Sequence, residues 1–440
     1  MTKHLLKITA IATVLLTITV GCNKEKNVTG VSLNESSITL TVDGTATLTA
    51  TVLPGDASNK TVSWASNDTT IATVANGIVI AKKVGAAIIT VTTEEGNYTA
   101  ECTVTVTHKL SEGTVGYYGQ LQVNASTGKI EGSKSEANKP VQVKGVSFGW
   151  NMYSESSPYF TAAMVDRMVD QWKAEIVRAP MGAKSDTYNQ GYDNAGARTK
   201  LIERIEKIVN QAIERGVYVI IDWHSHTADE AAEKQLAIQY FGEMAQKYGS
   251  KDNVIFEIFN EPTAQNWNTI RAYAVDVIAE IRKYSDNLIL VGTQGYSQMI
   301  GAPADNRIDD PNVAYVLHFY ANSHKMSEYT AFGGSQFSVQ INKALKEKLP
   351  IFVSEWGTAD SDGNGIHNPD NSDTWMKWCD DNQISWCAWQ VSHKNEASAF
   401  FRSKGNVSGY AASWFETKSN FSASGQYIFD LLTSWANKAE

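Results

Sequence analysis

The 440-residue chain is short of three things, and each shortage removes a class of function. It has no basic block: 38 Lys and Arg stand against 47 Asp and Glu, a formal net charge of −9. Without a cationic stripe there is no electrostatic footprint for phosphate backbones, so nucleic acid is not a partner. It has only four cysteines, Cys22, Cys102, Cys379 and Cys387. With Cys22 set apart for the reason given below, an odd number remains, in no zinc or redox spacing, and cysteine carries no chemistry. Cys379 and Cys387 can pair in an oxidising compartment or remain two buried thiols. Finally, the apolar run at residues 8–20 is too short and too rich in Thr for a stable membrane span.

That run, preceded by Lys3 and Lys7, reads as an export signal. Val20-Gly21-Cys22 resembles the end of a bacterial lipoprotein cleavage site, with Thr19 where Leu is usual. The expectation is that residues 1–21 are removed, Cys22 carries a lipid and residues 23–27 tether the protein to the bacterial outer membrane or cell surface. An ordinary signal peptide with an unmodified Cys22 is the alternative. The lipid would be the only membrane contact.

Aromatic residues are plentiful, with 12 Trp and 18 Tyr. In an acidic exported protein they serve as flat apolar platforms, and sugar rings are flat apolar partners. Residues 28–107 are dense in Thr, Val, Ile and Ala in short alternating runs such as Ser37-Ile38-Thr39-Leu40-Thr41-Val42. Turn signals at Asp43-Gly44, Pro54-Gly55-Asp56, Asn76-Gly77 and Glu95-Gly96-Asn97 separate them, as in a small β-sandwich with Trp64 as its core aromatic. Through Val31-Ser32-Leu33, Val52-Leu53-Pro54, Val62-Ser63-Trp64-Ala65-Ser66 and Ala72-Thr73-Val74 the segment resembles the bacterial immunoglobulin-like group 2 module. It holds no titratable cluster, so a spacer role is expected, with binding to cell-wall or plant polysaccharide the alternative.

Residues 108–139 are polar and rich in Gly and Ser, a linker with a hairpin that opens the next domain. From 140 to 438 apolar runs alternate with helix-period segments eight times, the pattern of a (β/α)8 barrel. The expected strands are residues 141–147, 175–180, 217–223, 254–259, 288–293, 314–319, 351–355 and 384–389. Leu201, Ile202, Ile205, Ile208, Val209, Ala212 and Ile213 give one helix an apolar face for packing on the barrel.

Barrel enzymes place their chemistry at the carboxyl ends of the strands. There this chain has Arg178, His224, Asn260, Glu261, His318, Tyr320, Glu355 and Trp389. Two carboxylates on the fourth and seventh strands would face each other across the mouth, as a double-displacement glycosidase requires. Glu355 must be ionised to attack an anomeric carbon, and Arg178 and Tyr320 are the right types to help. Glu261 must begin protonated, and burial beside the charge of Glu355 is expected to raise its pKa. Asn260 can donate to the sugar 2-hydroxyl, His224 and His318 can orient the carboxylates, and Trp389 offers a face to the ring under attack.

The segments Ile255-Phe256-Glu257-Ile258-Phe259-Asn260-Glu261-Pro262 and Val353-Ser354-Glu355-Trp356-Gly357-Thr358 resemble the two signatures of glycoside hydrolase family five. Tyr218-Val219-Ile220-Ile221-Asp222-Trp223-His224, His318-Phe319-Tyr320-Ala321 and Ser392-His393-Lys394-Asn395-Glu396 bring it nearest to the family's bacterial endoglucanase subfamily, subfamily two. The resemblance implies Glu261 as acid/base, Glu355 as nucleophile and Arg178, His224, Asn260, His318, Tyr320 and Trp389 as the rest of the pocket. It also implies that Lys394 and Glu396 bind glucosyl units on the non-reducing side, with His324 a further pocket member. One departure stands out: the subfamily's Ser-His-Gly-Leu-Gln-Trp is here Ser147-Phe148-Gly149-Trp150-Asn151-Met152. A His is lost from the subsite beside the cleavage point, and the substrate-binding Trp is displaced to Trp150.

The function expected is a monomeric retaining endo-β-1,4-glucanase acting on cellulose-type or mixed-linkage β-glucan, with no cofactor and no metal. Mannan, xyloglucan or non-catalytic polysaccharide binding are the alternatives. His224-Ser225-His226 mimics a zinc pair, but it lies on the third strand and the last strand ends in Trp389 instead of a metal-binding Asp. Asp360, Asp362, Asn364 and Gly365 open like a calcium loop, yet its twelfth position is Asn371 instead of a bidentate Glu.

Overall fold

A computed structural model describes residues 26–83, 85–107, 113–326, 337–403 and 418–436. The export signal and Cys22 lie outside the described residues. The N-terminal unit is all β: β1 (Gly30–Leu33), β2 (Ser37–Thr41), β3 (Thr45–Thr47), β4 (Ala50–Leu53), β5 (Val62–Ser66), β6 (Ala72–Ala75), β7 (Ile78–Ala81), β8 (Gly85–Thr93) and β9 (Thr99–Thr107). A four-stranded sheet β2-β9-β8-β5 and a three-stranded sheet β3-β7-β6 enclose Val79, Ala81, Ile89, Cys102, Val104 and Val106. Trp64 is only half-buried at the edge of this core, whose centre is small aliphatic side chains and Cys102.

The linker segment is more structured than its polar composition suggests. It forms α1 (Gly113–Tyr118) and the hairpin β10 (Leu121–Asn124) and β11 (Lys129–Gly132). Val115, Leu121 and Ile130 join Ile176, Ile220 and Ile255 in one apolar cluster, so the hairpin caps the amino end of the barrel. Tyr218 Oη donates to Gly119 O at 2.5 Å, fixing the cap to a barrel strand.

Eight parallel strands close into a barrel: β12 (Lys144–Phe148), β13 (Ile176–Gly182), β14 (Tyr218–His224), β15 (Val254–Glu257), β16 (Ile289–Val291), β17 (Val313–Tyr320), β18 (Ile351–Gly357) and β19 (Trp386–Val391). The helices are α2 (Ala162–Asp170), α3 (Arg198–Glu214), α4 (Ala231–Tyr248), α5 (Trp267–Ile281), the single turn α6 (Gln294–Ser297), α7 (Phe337–Lys346), α8 (Pro369–Asp381) and α9 (Ala423–Ala436). On α3, Leu201, Ile205, Ile208, Val209 and Ala212 are buried against the barrel. The fifth connection is the exception to the eightfold alternation: α6 and a short 3-10 turn replace a full helix. Gly295, Gly301, Pro303, Pro311 and the polar residues between them break helical propagation there. Among the described residues no helix is long and apolar enough to cross a membrane. Cys102, Cys379 and Cys387 are buried free thiols.

Candidate active site

Barrel strands are buried on both faces and read as apolar runs, so a charge inside one needs a partner. Arg178 on β13 is fully buried and pairs with three carboxylates. Its Nε and Nη2 donate to Glu257 at 2.7 and 3.1 Å, its Nη1 donates to Glu355 Oε2 at 2.8 Å, and Nη2 lies 3.1 Å from Asp222 Oδ2. Nη2 also donates to Asn260 Oδ1 at 2.6 Å, which turns the amide nitrogen of Asn260 toward His224 Nε2. Burial pushes Asp222 up to about 7 and Glu257 above the usual carboxylate range, while Arg178 pulls both back.

Glu355 on β18 also accepts from the Tyr320 hydroxyl at 2.6 Å. The Tyr320 ring lies against Gly357, where an added Cβ would come within 2.5 Å of it, so the glycine makes room for the phenol. A register shift between β17 and β18 gives β18 one extra residue, pairing Val316 with Phe352 but His318 with Glu355. Such a bulge re-aims side chains, and here it lets consecutive Ser354 and Glu355 both face the interior. Ser354 Oγ donates to Glu257 Oε1 at 2.7 Å and lies 3.0 Å from His318 Nε2.

Glu261 follows β15, with 15% of its side chain exposed to the cleft. His318 Nδ1 is 2.9 Å from its Oε1 and His226 Nε2 is 3.4 Å from its Oε2. The expected rise in the Glu261 pKa is not found. Burial does push the carboxyl up, but hydrogen bonds from His226 and His318 outweigh it and hold Glu261 well below the usual range. His318 moves the opposite way: burial opposes its charge, and its bond to Glu261 with the nearby carboxylates lifts it above its ordinary value. The two shifts share one contact, that between Glu261 and His318 at 2.9 Å.

His224 is neutral, pulled down to about 3 by burial and by Arg178. Its Nδ1 binds Asp222 at 2.7 Å and its ring stacks on Trp389 at 5.3 Å, so the two histidines of His224-Ser225-His226 serve different partners. Trp150 packs edge-on against His224 at 4.3 Å and lies beside Tyr153 at 5.4 Å. Phe148 is fully buried against Phe160 and lines no part of the cleft. His324 is buried, accepts from the Tyr320 amide through Nδ1 at 2.9 Å and steadies that strand end. Lys394 and Glu396 form an ion pair of 2.6 Å in the loop after β19.

His224, His226, Glu261, Tyr320, Glu355 and Trp389 line one groove. A cavity of about 230 Å³ holds Trp150, Trp389, Glu261, Glu355, Lys394 and Glu396. It shares Glu261, Tyr320, Ser361 and Asp362 with a second of about 390 Å³ toward Tyr296 and Gln298. Across Lys394 and Glu396 it continues into an open trough past Asn364 and Arg402. Among the described residues, Glu261, His318 and Glu355 are the one set whose ligating atoms converge, all within 4.8 Å of one another. Arg178, Tyr320 and Ser354 already satisfy the Glu355 oxygens and the second nitrogen of His318, so protein groups complete this set.

Residues 135–395 match the family described as Cellulase (glycosyl hydrolase family 5). The chain belongs to glycoside hydrolase family 5. Its N-terminal unit, residues 27–104, matches the bacterial Ig-like domain, group 2. The chain is 38% identical over 294 residues to Endoglucanase Z of Dickeya dadantii, covering 66% of this chain and 61% of that one. It is 36% identical over 304 residues to Endoglucanase A of Evansella cellulosilytica, covering 68% and 57%. It thus spans about three-fifths of the length of these relatives. Among solved structures, one from Cytophaga hutchinsonii is 32% identical with a TM-score of 0.65, covering 74% of this chain and 98% of that one. The catalytic domain of a Thermobifida fusca endoglucanase is 30% identical with a TM-score of 0.62, covering 72% and 99%. Asp222, Glu257, Ser354 and His226 complete this family 5 site although strand ends alone did not single them out. An acidic residue inside an otherwise apolar strand, as in Ile220-Ile221-Asp222-Trp223 and Ile255-Phe256-Glu257-Ile258, is the signal that points to the first two.

Proposed function

We propose that this family 5 chain is an endo-β-1,4-glucanase that cleaves internal bonds of cellulose-type or mixed-linkage β-glucan with retention at the anomeric carbon. The observation that carries the reading is the spacing of Glu261 and Glu355, whose nearest oxygens lie within 4.8 Å across one groove. Double displacement uses carboxyl groups roughly 5 to 5.5 Å apart, whereas inversion needs roughly 6.5 to 9.5 Å to admit a water. In the first step a Glu355 oxygen bonds to the anomeric carbon, the glycosidic C–O bond breaks, and the leaving oxygen takes the proton held by Glu261. In the second, water attacks the same carbon and gives its proton to Glu261, and the ester bond returns its electron pair to Glu355. Asn260, fixed by Arg178, donates to the 2-hydroxyl, and Trp389 underlies the ring. Trp150, Lys394 and Glu396 bind the units beyond it.

The groove extends on both sides of the carboxylates, which suits a chain threaded past them. The endoglucanase relatives support the substrate class, as does a form of the Thermobifida fusca catalytic domain solved with cellotetraose. Release of reducing ends from carboxymethylcellulose and mixed-linkage glucan tests the reading, with the product anomer followed by NMR. Internal cleavage with a β-anomer formed first is expected. Initial α-product rejects retention, action on β-mannan alone moves the substrate, and inertness on every β-glycan leaves polysaccharide binding. For location, the reading is a lipid at Cys22, and Cys22→Ala is expected to move the protein from the membrane to the soluble fraction. An unchanged distribution would reject the anchor.

A further inference from the structure

We propose that Asp362 is a specificity-determining residue: its carboxylate, fixed over the junction of the two halves of the groove, repels glycan chains that carry negative charge and so selects uncharged β-glucan. The proposal rests on the reading of the groove as the β-glucan site. Asp362 lines the cavity that holds Glu355, Trp389 and Lys394, and also the cavity that runs toward Tyr296 and Gln298. A charge there lies beside a bound chain on both sides of the cleavage point. Each of the other carboxylates lining these cavities has a cation or an imidazole of its own. Arg178 Nη1 holds Glu355 at 2.8 Å, Lys394 Nζ holds Glu396 at 2.6 Å, and His318 and His226 flank Glu261 at 2.9 and 3.4 Å. Asp362 is exposed and, among the described residues, lies in no ion pair. Lys394 is near enough to favour its charge, but that ammonium is engaged by Glu396.

Both the charge and its position are secured by the loop after β18. The Asn364 backbone N–H donates to Asp362 Oδ1 at 2.9 Å, and hydrogen bonds from Asn364 hold the carboxyl below its usual range. Asp360-Ser361-Asp362-Gly363-Asn364-Gly365 opens like a calcium loop, but Asp360 Oδ1 accepts from Asn322 Nδ2 at 2.7 Å and Ser323 Oγ at 3.1 Å, which ties the loop to the end of β17. Gly363 donates to Asp360 O at 2.8 Å, and its carbonyl accepts from Ser398 N at 3.0 Å in the loop after β19. Gly363 has a φ of 83°, and an added Cβ would lie 2.9 Å from the Glu396 carboxyl carbon, so glycine lets the two loops approach. A fixed like charge discriminates by repulsion and needs no contact with the chains it admits. Cleft walls of low dielectric focus such a field on the bound chain.

The test compares kcat/KM on carboxymethylcellulose and hydroxyethylcellulose, which share the β-1,4 backbone and differ in the charge of the substituent. It uses full-length wild type, Asp362→Asn and Asp362→Lys. Asparagine keeps an acceptor for the Asn364 N–H and removes only the charge. Two unit charges about 7 Å apart in water interact by about a factor of three, so the anionic-to-neutral ratio at low salt is expected to rise about threefold in Asp362→Asn and about sevenfold in Asp362→Lys. In about 1 M salt, where the screening length falls to about 3 Å, the three ratios should converge. A ratio equal in all three proteins at low salt, or a rise that persists at high salt, overturns the proposal and leaves Asp362 a hydrogen-bonding or structural group. Hydroxyethylcellulose separates the underlying reading. If the wild type cleaves it and the ratio does not move, the charge proposal alone fails, and if the wild type is inert on both celluloses, the glucanase reading fails with it.

Discussion

Arg178 shows how much of the site's geometry depends on a single side chain. Removing one partner of a buried ion cluster leaves the others uncompensated, at a cost of about 3 to 5 kcal/mol. Arg178→Met, which leaves Asp222, Glu257 and Glu355 without their common cation, is expected to lower stability by that amount in urea denaturation. A change well under 1 kcal/mol would mean that the carboxylates had already taken up protons. Glu261→Gln keeps shape but removes the transferable proton, so a loss of about 10²- to 10⁴-fold in kcat/KM on cellotetraose is expected. A drop confined to KM would point to binding instead. The strand-end residues were legible because titratable groups cluster there for few reasons but chemistry. Ser354 was not, because a serine beside a glutamate has many uses and only the bulge reveals that both face inward.

At the scale of single elements, alternation along a strand decides what position 148 can do. Ser147 faces the barrel interior, 3.5 Å from Arg178 Nη1, so Phe148 points outward to Phe160. The loss of a His here is thus a repacking beneath the helices, while Trp150 in the following loop forms the cleft wall. Phe148→His is expected to bury an unsatisfied imidazole at a cost of roughly 1 to 3 kcal/mol and to leave KM for cellotetraose no better. An improved KM with unchanged thermal stability would show that this position reaches the cleft. Gly357→Ala acts on β18 in a different way. The added methyl would displace the Tyr320 ring and its hydroxyl from Glu355, and a misplacement near 1 Å can cost about 10²-fold in rate. That loss should appear in kcat. The strands were readable from apolar runs and their spacing. The shortened fifth connection and α1 were harder to read, since one replaces a repeat with Gly and Pro and the other hides a short helix in polar sequence.

Across the whole molecule the barrel separates chemistry at one end from closure at the other, and the closed end carries its own titratable group. Glu175, at the amino end of β13, is buried near Lys144, Tyr118 and Tyr218, and burial pushes it up to about 8 although Lys144 pulls the other way. An unfolded glutamate titrates near its ordinary value of 4.5. Between these two values the folded state therefore binds a proton that the unfolded state has released. The sign follows: the contribution is fully present below about pH 4.5 and falls as pH rises, by up to about 1.4 kcal/mol per pH unit, until it is lost through pH 8. Glu175→Gln removes that dependence, so the fall in urea-denaturation stability from pH 5 to pH 8 should be shallower in the variant than in the wild type. The contribution is independent of the cleft, because the group lies beneath the barrel and the variant should keep the wild-type kcat/KM profile. Equal slopes for the two proteins would show that Glu175 is ionised in the fold, its charge carried by Lys144.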